Sequence, residues 1–341
     1  MGDLFQVNNL SVSIITKEGE LQAVRDVSFT LKEGEVLAIL GESGCGKSVL
    51  CKSLLQVLPK NGFIKSGKVI LDGKDLTNLS EKSMNKVRGK EISMIFQDTM
   101  ASLNPTIPIG EQIMEAVLIH EKMSKSEAKK RSIELLKLVG IDYPEKRFNQ
   151  YVYHFSGGMR QRIVIAMAIA CKPKVLIADE PTTALDVTIQ RQILDLIREL
   201  QVKLGISIIF ITHDLGVVAN LAQRIAVMYA GKIVEVGTVK DIFYDARHPY
   251  TWGLMSSLPD VDCGKEFLSY IPGMPPNLIN PPKGDAFAQR NKYALKIDYL
   301  EEPPMFSISE THCAATWLLH KDAPKIEPPI KAYSRMQSDI I

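Results

Sequence analysis

The sequence predicts an α/β fold with a helical insertion and a proline-rich C-terminal extension, on three observations. First, the apolar runs at residues 36–40, 175–178 and 206–212 have the length and composition of buried strands. Second, residues 187–204 between the last two read as a helix, and strand–helix–strand implies a parallel pair joined by a crossover. Third, prolines cluster after about Asp245: Pro249, Pro259, Pro272, Pro275, Pro276, Pro281, Pro282, Pro303 and Pro304. A ring without an N–H donor makes regular structure hard to sustain there.

Taken in order, residues 4–40 are β-rich, with alternation at 21–31 suited to half-buried strands. The apolar run 36–40 leads into a glycine-rich turn and a helix expected over 47–58, stopped by Pro59. Residues 100–155 turn helical: 111–120 forms one helix, and Ser124 with Glu127 forms a capping box opening another, which Gly140 ends. Residues 225–236 read as a hairpin turning at Ala230-Gly231-Lys232. Residues 322–341 read as a loose tail.

Composition excludes several classes. The 341 residues are 45% hydrophobic and 23% charged, ordinary for a globular protein. With 41 basic and 39 acidic side chains the net charge is +2, so no nucleic acid partner is called for. The longest apolar run, 163–171, falls far short of the roughly 20 residues a spanning helix needs. The N-terminus lacks the basic start and apolar core of a signal peptide, and Gln6 breaks the myristoylation pattern. Cys45, Cys51, Cys171, Cys263 and Cys313 are odd in number and scattered, unlike a disulfide framework or zinc site. The chain reads as cytosolic.

Gly41-Glu42-Ser43-Gly44-Cys45-Gly46-Lys47-Ser48 fits GxxxxGK[ST], the phosphate-binding loop, in the right context: an apolar strand enters and a helix leaves. Its glycines let backbone amides turn onto phosphate oxygens, and the helix N-terminus adds partial positive charge. The nucleotide-binding set is Gly41, Ser43, Gly44, Cys45, Gly46, Lys47, Ser48 and Val49; the Cys45 side chain is assigned no chemistry. Lys47 can reach the β- and γ-phosphates and Ser48 can hold Mg²⁺. The run 175–178 ends in Asp179 and Glu180: the first suits Mg²⁺ coordination, the second polarisation of an attacking water. Another strand end carries His213, placed to donate to a γ-phosphate, although a lone histidine there is more often structural. Ser156-Gly157-Gly158 opens an apolar helix over 162–170, with Ser156 as N-cap, and forms a second anion site of the same construction. Two such sites with one lysine-bearing loop point to a head-to-tail dimer.

In this order the motifs resemble an ABC-type ATPase domain over roughly residues 4–260. The resemblance implies a P-loop fold with a mixed sheet core, an antiparallel β subdomain and a helical insertion at about 100–170. ATP and Mg²⁺ sit between two such domains. Gln97, after the run 92–96, matches the Q-loop, which links metal and water to membrane subunits. Asp186, after Ala184-Leu185, lies at the dimer seam. The family often places an aromatic ring on the adenine; here the matching position is Ile14, which offers apolar contact without stacking.

A branch is also indicated. Residues 95–98, Ser102-Leu103-Asn104-Pro105, Gly110-Glu111-Gln112, residues 155–162, His248-Pro249-Tyr250-Thr251 and residues 271–276 resemble oligopeptide, dipeptide and nickel importers, to about residue 317. This implies an ATPase domain over 1–245, that branch's extension over 246–320 and a tail over 321–341. Its expected role is ATP hydrolysis driving solute import, peptide first, nickel or another small solute as the alternative. The expected partners are a second ABC ATPase subunit in a heterodimer, two transmembrane permease subunits and, indirectly, an extracytoplasmic solute-binding protein. The expected place is the cytoplasmic face of the membrane, held peripherally. Many members carry four cysteines for an iron–sulfur cluster in the extension. Asp285, Asn291, Asp298 and Thr316 fall at those places, with Cys313 three residues early, so no cluster is expected. A soluble ABC ATPase of DNA repair or translation is the rival of another class; it usually carries a coiled-coil insertion or two ATPase domains.

Overall fold

The computed structural model describes residues 2–183, 185–257 and 270–329. Ala184, Pro259, Cys263 and residues 330–341 lie outside them. In chain order the strands are β1 (Phe5–Ile15), β2 (Glu20–Leu31), β3 (Val36–Leu40), β4 (Gly62–Leu71), β5 (Lys74–Asp75), β6 (Ile92–Ile95), β7 (Val175–Asp179), β8 (Ser207–Thr212), β9 (Arg224–Tyr229), β10 (Lys232–Thr238), β11 (Phe306–Ser307) and β12 (Cys313–Ala314). The chain forms two compact units: residues 1–5, 31–36 and 71–211 make the first, and residues 6–30, 37–70 and 212–341 the second.

In the first unit β6, β7 and β8 are parallel neighbours, in register from Ile92↔Val175 and from Val175↔Ser207 to Asp179↔Ile211. Every residue of the three is buried, which is why they read as continuous apolar runs. Helix Val187–Leu204 connects β7 to β8 and ends at Gly205 in left-handed conformation. Between β6 and β7 lies the helical insertion, with its longer helices at Ile109–His120, Lys125–Leu138 and Gly157–Ala168. The first begins two residues before the expected start because Pro108 takes the N-cap. The capping box forms: Ser124 Oγ accepts from Glu127 N and Ser124 N donates to the Glu127 carboxylate at 2.8 Å. Past Leu138, Gly140 has φ +74° and Ile141 N donates to Leu136 O, a Schellman ending.

In the second unit β3 runs parallel to β9, and β9 and β10 form an antiparallel hairpin. Ala230 and Gly231, at φ 47° and 82°, make its two-residue turn. A second sheet holds β2, β1 and β4 side by side. A connection of four residues joins β1 to β2, too short for a parallel crossover, so the pair is antiparallel. Asn9 N donates to Ser28 Oγ and Asp26 N to Ser11 Oγ, the reversed order antiparallel strands require.

Two expectations need correction here. The helix after the glycine-rich turn spans Lys47–Leu54, not 47–58. Gln56 is left-handed (φ 52°) and Val57 N closes back on Lys52 O, so a Schellman motif ends the helix before Pro59 is reached. The extension also carries strands: β12 pairs antiparallel with β10 at Glu235↔Ala314, and β11 pairs with β12. Both are two residues long and lie clear of the prolines, so the pattern of residue types could not announce them.

Candidate functional site

The phosphate loop belongs to the second unit. All five residues of β3 are buried, so the chain leaves the sheet from a fixed point at Gly41. A Cβ on Gly41 would stand 2.2 Å from Met228 O, and one on Gly46, at φ +105°, would stand 2.2 Å from Ala23 O. Only glycine lets the loop turn this tightly. Gly46 is the N-cap of helix Lys47–Leu54, so the positive end of that helix faces the loop. Lys47 is buried, and its ammonium donates to the carbonyls of Gly41 (2.7 Å) and Glu42 (2.9 Å) inside the loop's curve. Burial pushes the Cys45 thiol up, so it stays protonated. This cradle of amides, helix end and lysine fits the polyphosphate of a nucleotide. Ser48 and Val49 occupy its first helical turn. Ile14, near the end of β1, is half-buried and Ile15 after it is 49% exposed. His213, also in this unit, is exposed just past β8.

The acidic strand end belongs to the first unit. Asp179 is buried as the last residue of β7. Glu180 follows at φ 47°, a conformation uncommon for a non-glycine residue and a marker of functional sites. Its N–H donates to Ile211 O at 3.0 Å, and its carboxylate accepts from Gln97 Nε2 at 3.1 Å and Thr183 Oγ1 at 3.0 Å. Gln97 and Glu180 are thus brought together across 83 positions of sequence. Thr183 was not anticipated; its hydroxyl three residues past the glutamate is a weak signal.

The signature lies in the same unit. Ser156 caps helix Gly157–Ala168, accepting from Met159 N, so the helix starts five residues earlier than expected and its glycines form the first turn. Ser156 and Gly157 are exposed. Gly158 is buried, and a Cβ there would meet Ile189 Cγ2 at 2.6 Å. Asp186 is the N-cap of helix Val187–Leu204, accepting from Ile189 N at 3.0 Å. The structure therefore packs the signature helix start against the segment that follows Glu180.

The extension meets the phosphate loop within the second unit, which residue patterns did not announce. Tyr250 Oη accepts from Glu42 N at 2.8 Å, and Arg290 pairs with both Glu42 carboxylate oxygens at 2.7 and 3.0 Å. Tyr250 is oriented from its own motif. Buried Glu235 accepts from Arg247 N and His248 N and lies 2.8 Å from His312 Nε2, while His248 Nδ1 caps the helix Pro249–Ser256. Burial pushes His248 down to about 3, which keeps it neutral for that capping role. The four positions read against the cysteine pattern are all buried, and each accepts a backbone N–H: Asp285 from Phe287, Asn291 from Tyr293, Asp298 from Leu295 and Thr316 from Leu318.

Comparison with known proteins agrees with the motifs. Residues 24–183 match the ABC transporter family, and residues 234–297 match the C-terminal region of oligopeptide/dipeptide transporters. The chain is 61% identical to the oligopeptide transport ATP-binding protein OppD of Bacillus subtilis over 336 residues, 98% of this chain and 94% of that one. It is 56% identical to the dipeptide transport ATP-binding protein DppD of Lactococcus lactis, over 95% of this chain and 93% of that one. Among solved structures, a dimeric ATP-binding cassette in a post-hydrolysis state bound to ADP and Pi superposes with a TM-score of 0.62 at 27% identity, covering 69% of this chain and 98% of that one. This chain belongs to the ATP-binding proteins of ABC transporters, in the branch that carries the oligopeptide/dipeptide transporter C-terminal region.

Proposed function

We propose that the chain is the ATP-hydrolysing subunit of a binding-protein-dependent importer of oligo- or dipeptides. The observation that carries the reading is the 61% identity to an oligopeptide transport ATP-binding protein along almost the whole chain. The glycine loop with its buried Lys47 and the glutamate held by Gln97 and Thr183 support it chemically.

In this reading the loop 41–48 and Val49 bind the phosphates of ATP. Lys47 offsets charge on the β- and γ-phosphates, and Ile14 supplies an apolar contact to the base. Ser48, Gln97 and Asp179 would hold Mg²⁺, whose charge neutralises the phosphate oxygens. Glu180 accepts a proton from the attacking water. Its pairing with Gln97 makes the carboxylate's position depend on the Q-loop. His213 senses the γ-phosphate. Ser156, Gly157 and Gly158 close over the nucleotide of a second ATPase subunit, and Asp186 lies at that seam. Positioning and charge stabilisation carry the rate.

The permease pair docks on the helical insertion. A groove there is lined by Leu103, Pro105, Ile107, Glu115 and Met167, all within the first unit and adjoining the Q-loop segment. No helix among the described residues is long and apolar enough to cross a membrane; in this reading the permease provides the attachment. A heterodimer with a similar subunit, the cytoplasmic face as location and an ATPase domain over 1–245 followed by an extension over 246–320 complete the proposal. Peptide uptake by cells carrying Glu180→Gln tests it: uptake should stop while the subunit still assembles. Unchanged uptake would sink the reading.

A further inference from the structure

Residue 42 is an acid in a loop shaped for anions. A carboxylate there opposes phosphate binding unless something neutralises it. In this structure the neutralising group comes from 248 residues further along the chain. Arg290 presents its fork to both Glu42 oxygens, and its side chain is only 5% exposed. Such a bidentate pair is geometrically demanding in a way a lysine cannot satisfy.

The guanidinium is itself fixed from several directions. Nε donates to Pro272 O at 2.8 Å, and Nη1 lies 3.3 Å from Tyr229 Oη. The group sits over the rings of Tyr229 and Phe287, at 5.7 and 5.9 Å from their centroids. The other end of residue 42 is held too, since its N–H donates to Tyr250. Both handles of the loop's second residue are therefore in the grip of the chain beyond residue 245.

We propose that Arg290 is a positioning residue for nucleotide binding: it cancels the Glu42 charge beside the phosphates and, with Tyr250, holds the first bend of the phosphate loop. The C-terminal extension then sets nucleotide affinity directly, within one chain. This rests on the loop 41–48 being the ATP site.

The test is equilibrium ATP binding to the full chain, read by displacement of a fluorescent ATP analogue in the presence of Mg²⁺, with thermal unfolding measured in parallel. Arg290→Met leaves a carboxylate uncompensated near the phosphates and should weaken ATP binding about tenfold, the size expected of one partly screened like charge. Removing that carboxylate in the same chain, Glu42→Gln with Arg290→Met, should restore affinity to within about threefold of the wild type, because the repulsion is gone. A merely structural arginine predicts the reverse, a double variant no better than the single. Arg290→Lys keeps a cation but loses the fork, so its affinity should fall between that of Arg290→Met and the wild type, and it serves if the methionine variant does not fold. Wild-type affinity in Arg290→Met, or no recovery in the double variant, overturns the proposal. Failure of the unaltered chain to bind ATP overturns the reading of the loop itself, a result distinct from the other two.

Discussion

At the scale of single residues, Glu180 concentrates the account. It stands at the end of a buried strand in an uncommon backbone conformation, with Gln97 and Thr183 on its carboxylate. Glu180→Gln keeps the shape and removes the proposed base. Turnover of ATP in the assembled transporter should fall by about 10²–10⁴, with nucleotide binding kept, as steady-state hydrolysis and equilibrium binding would show. Asp285 gives a prediction of a different kind. Burial, reinforced by Asp298 and Glu302, pushes its carboxyl up to about 6, against an ordinary value of 3.8. The folded chain thus holds this proton to higher pH than the unfolded chain does. Stability contributed by the protonated form is lost as pH rises from about 4 to about 6. Asp285→Asn, which can still accept from Phe287 N, should stabilise the chain at pH 7.5 by on the order of 2–3 kcal/mol and change little at pH 4. Thermal unfolding at the two pH values checks both size and sign.

At the scale of elements, the phosphate loop depends on backbone freedom at particular positions. Gly46→Ala forces φ +105° on a residue with a Cβ and drives that Cβ toward Ala23 O. ATP binding should be lost, at a local strain of about 1–3 kcal/mol, while the rest of the chain stays folded by circular dichroism. These features were legible in sequence because glycine spacing, a lysine and an apolar entry strand are local signals. Strands β7 and β8 were legible for the same reason, being buried on both faces, whereas the run that forms β6 was noted only for the glutamine after it. Helix ends were less so: Gln56 in a left-handed turn and the glycines inside the signature helix both break the usual residue preferences. Family resemblance singled out Gln97 and Glu180 separately, but their pairing was not announced, since a contact across so long a separation leaves no periodicity behind.

At the scale of the whole molecule, the extension is built into the core of the second unit. Tyr250, Met255, Leu278 and Phe287 are buried with Ala38, Leu40 and Tyr229 from the strands beside the phosphate loop. The Tyr229 ring meets Tyr250 at 4.6 Å and Phe287 at 5.2 Å between centroids. Met255, Leu278 and Phe287 alone represent roughly 5–9 kcal/mol of burial, comparable with the whole stability of an ordinary domain. A chain ending at residue 245 should therefore unfold or aggregate on expression, as solubility and circular dichroism would reveal. Proline content after about residue 245 suggested an extension but concealed this packing, because side-chain burial there is not tied to regular secondary structure.

The central claim is that ATP hydrolysis by this chain serves a membrane-embedded importer. ATPase activity of the purified chain alone, compared with that of the chain assembled with a partner ATPase, its permease subunits and a peptide-loaded binding protein, tests it most directly. Activity of the chain alone should be low, with clear stimulation in the loaded complex that Glu180→Gln abolishes. Full activity alone, indifferent to the permease, would contradict it.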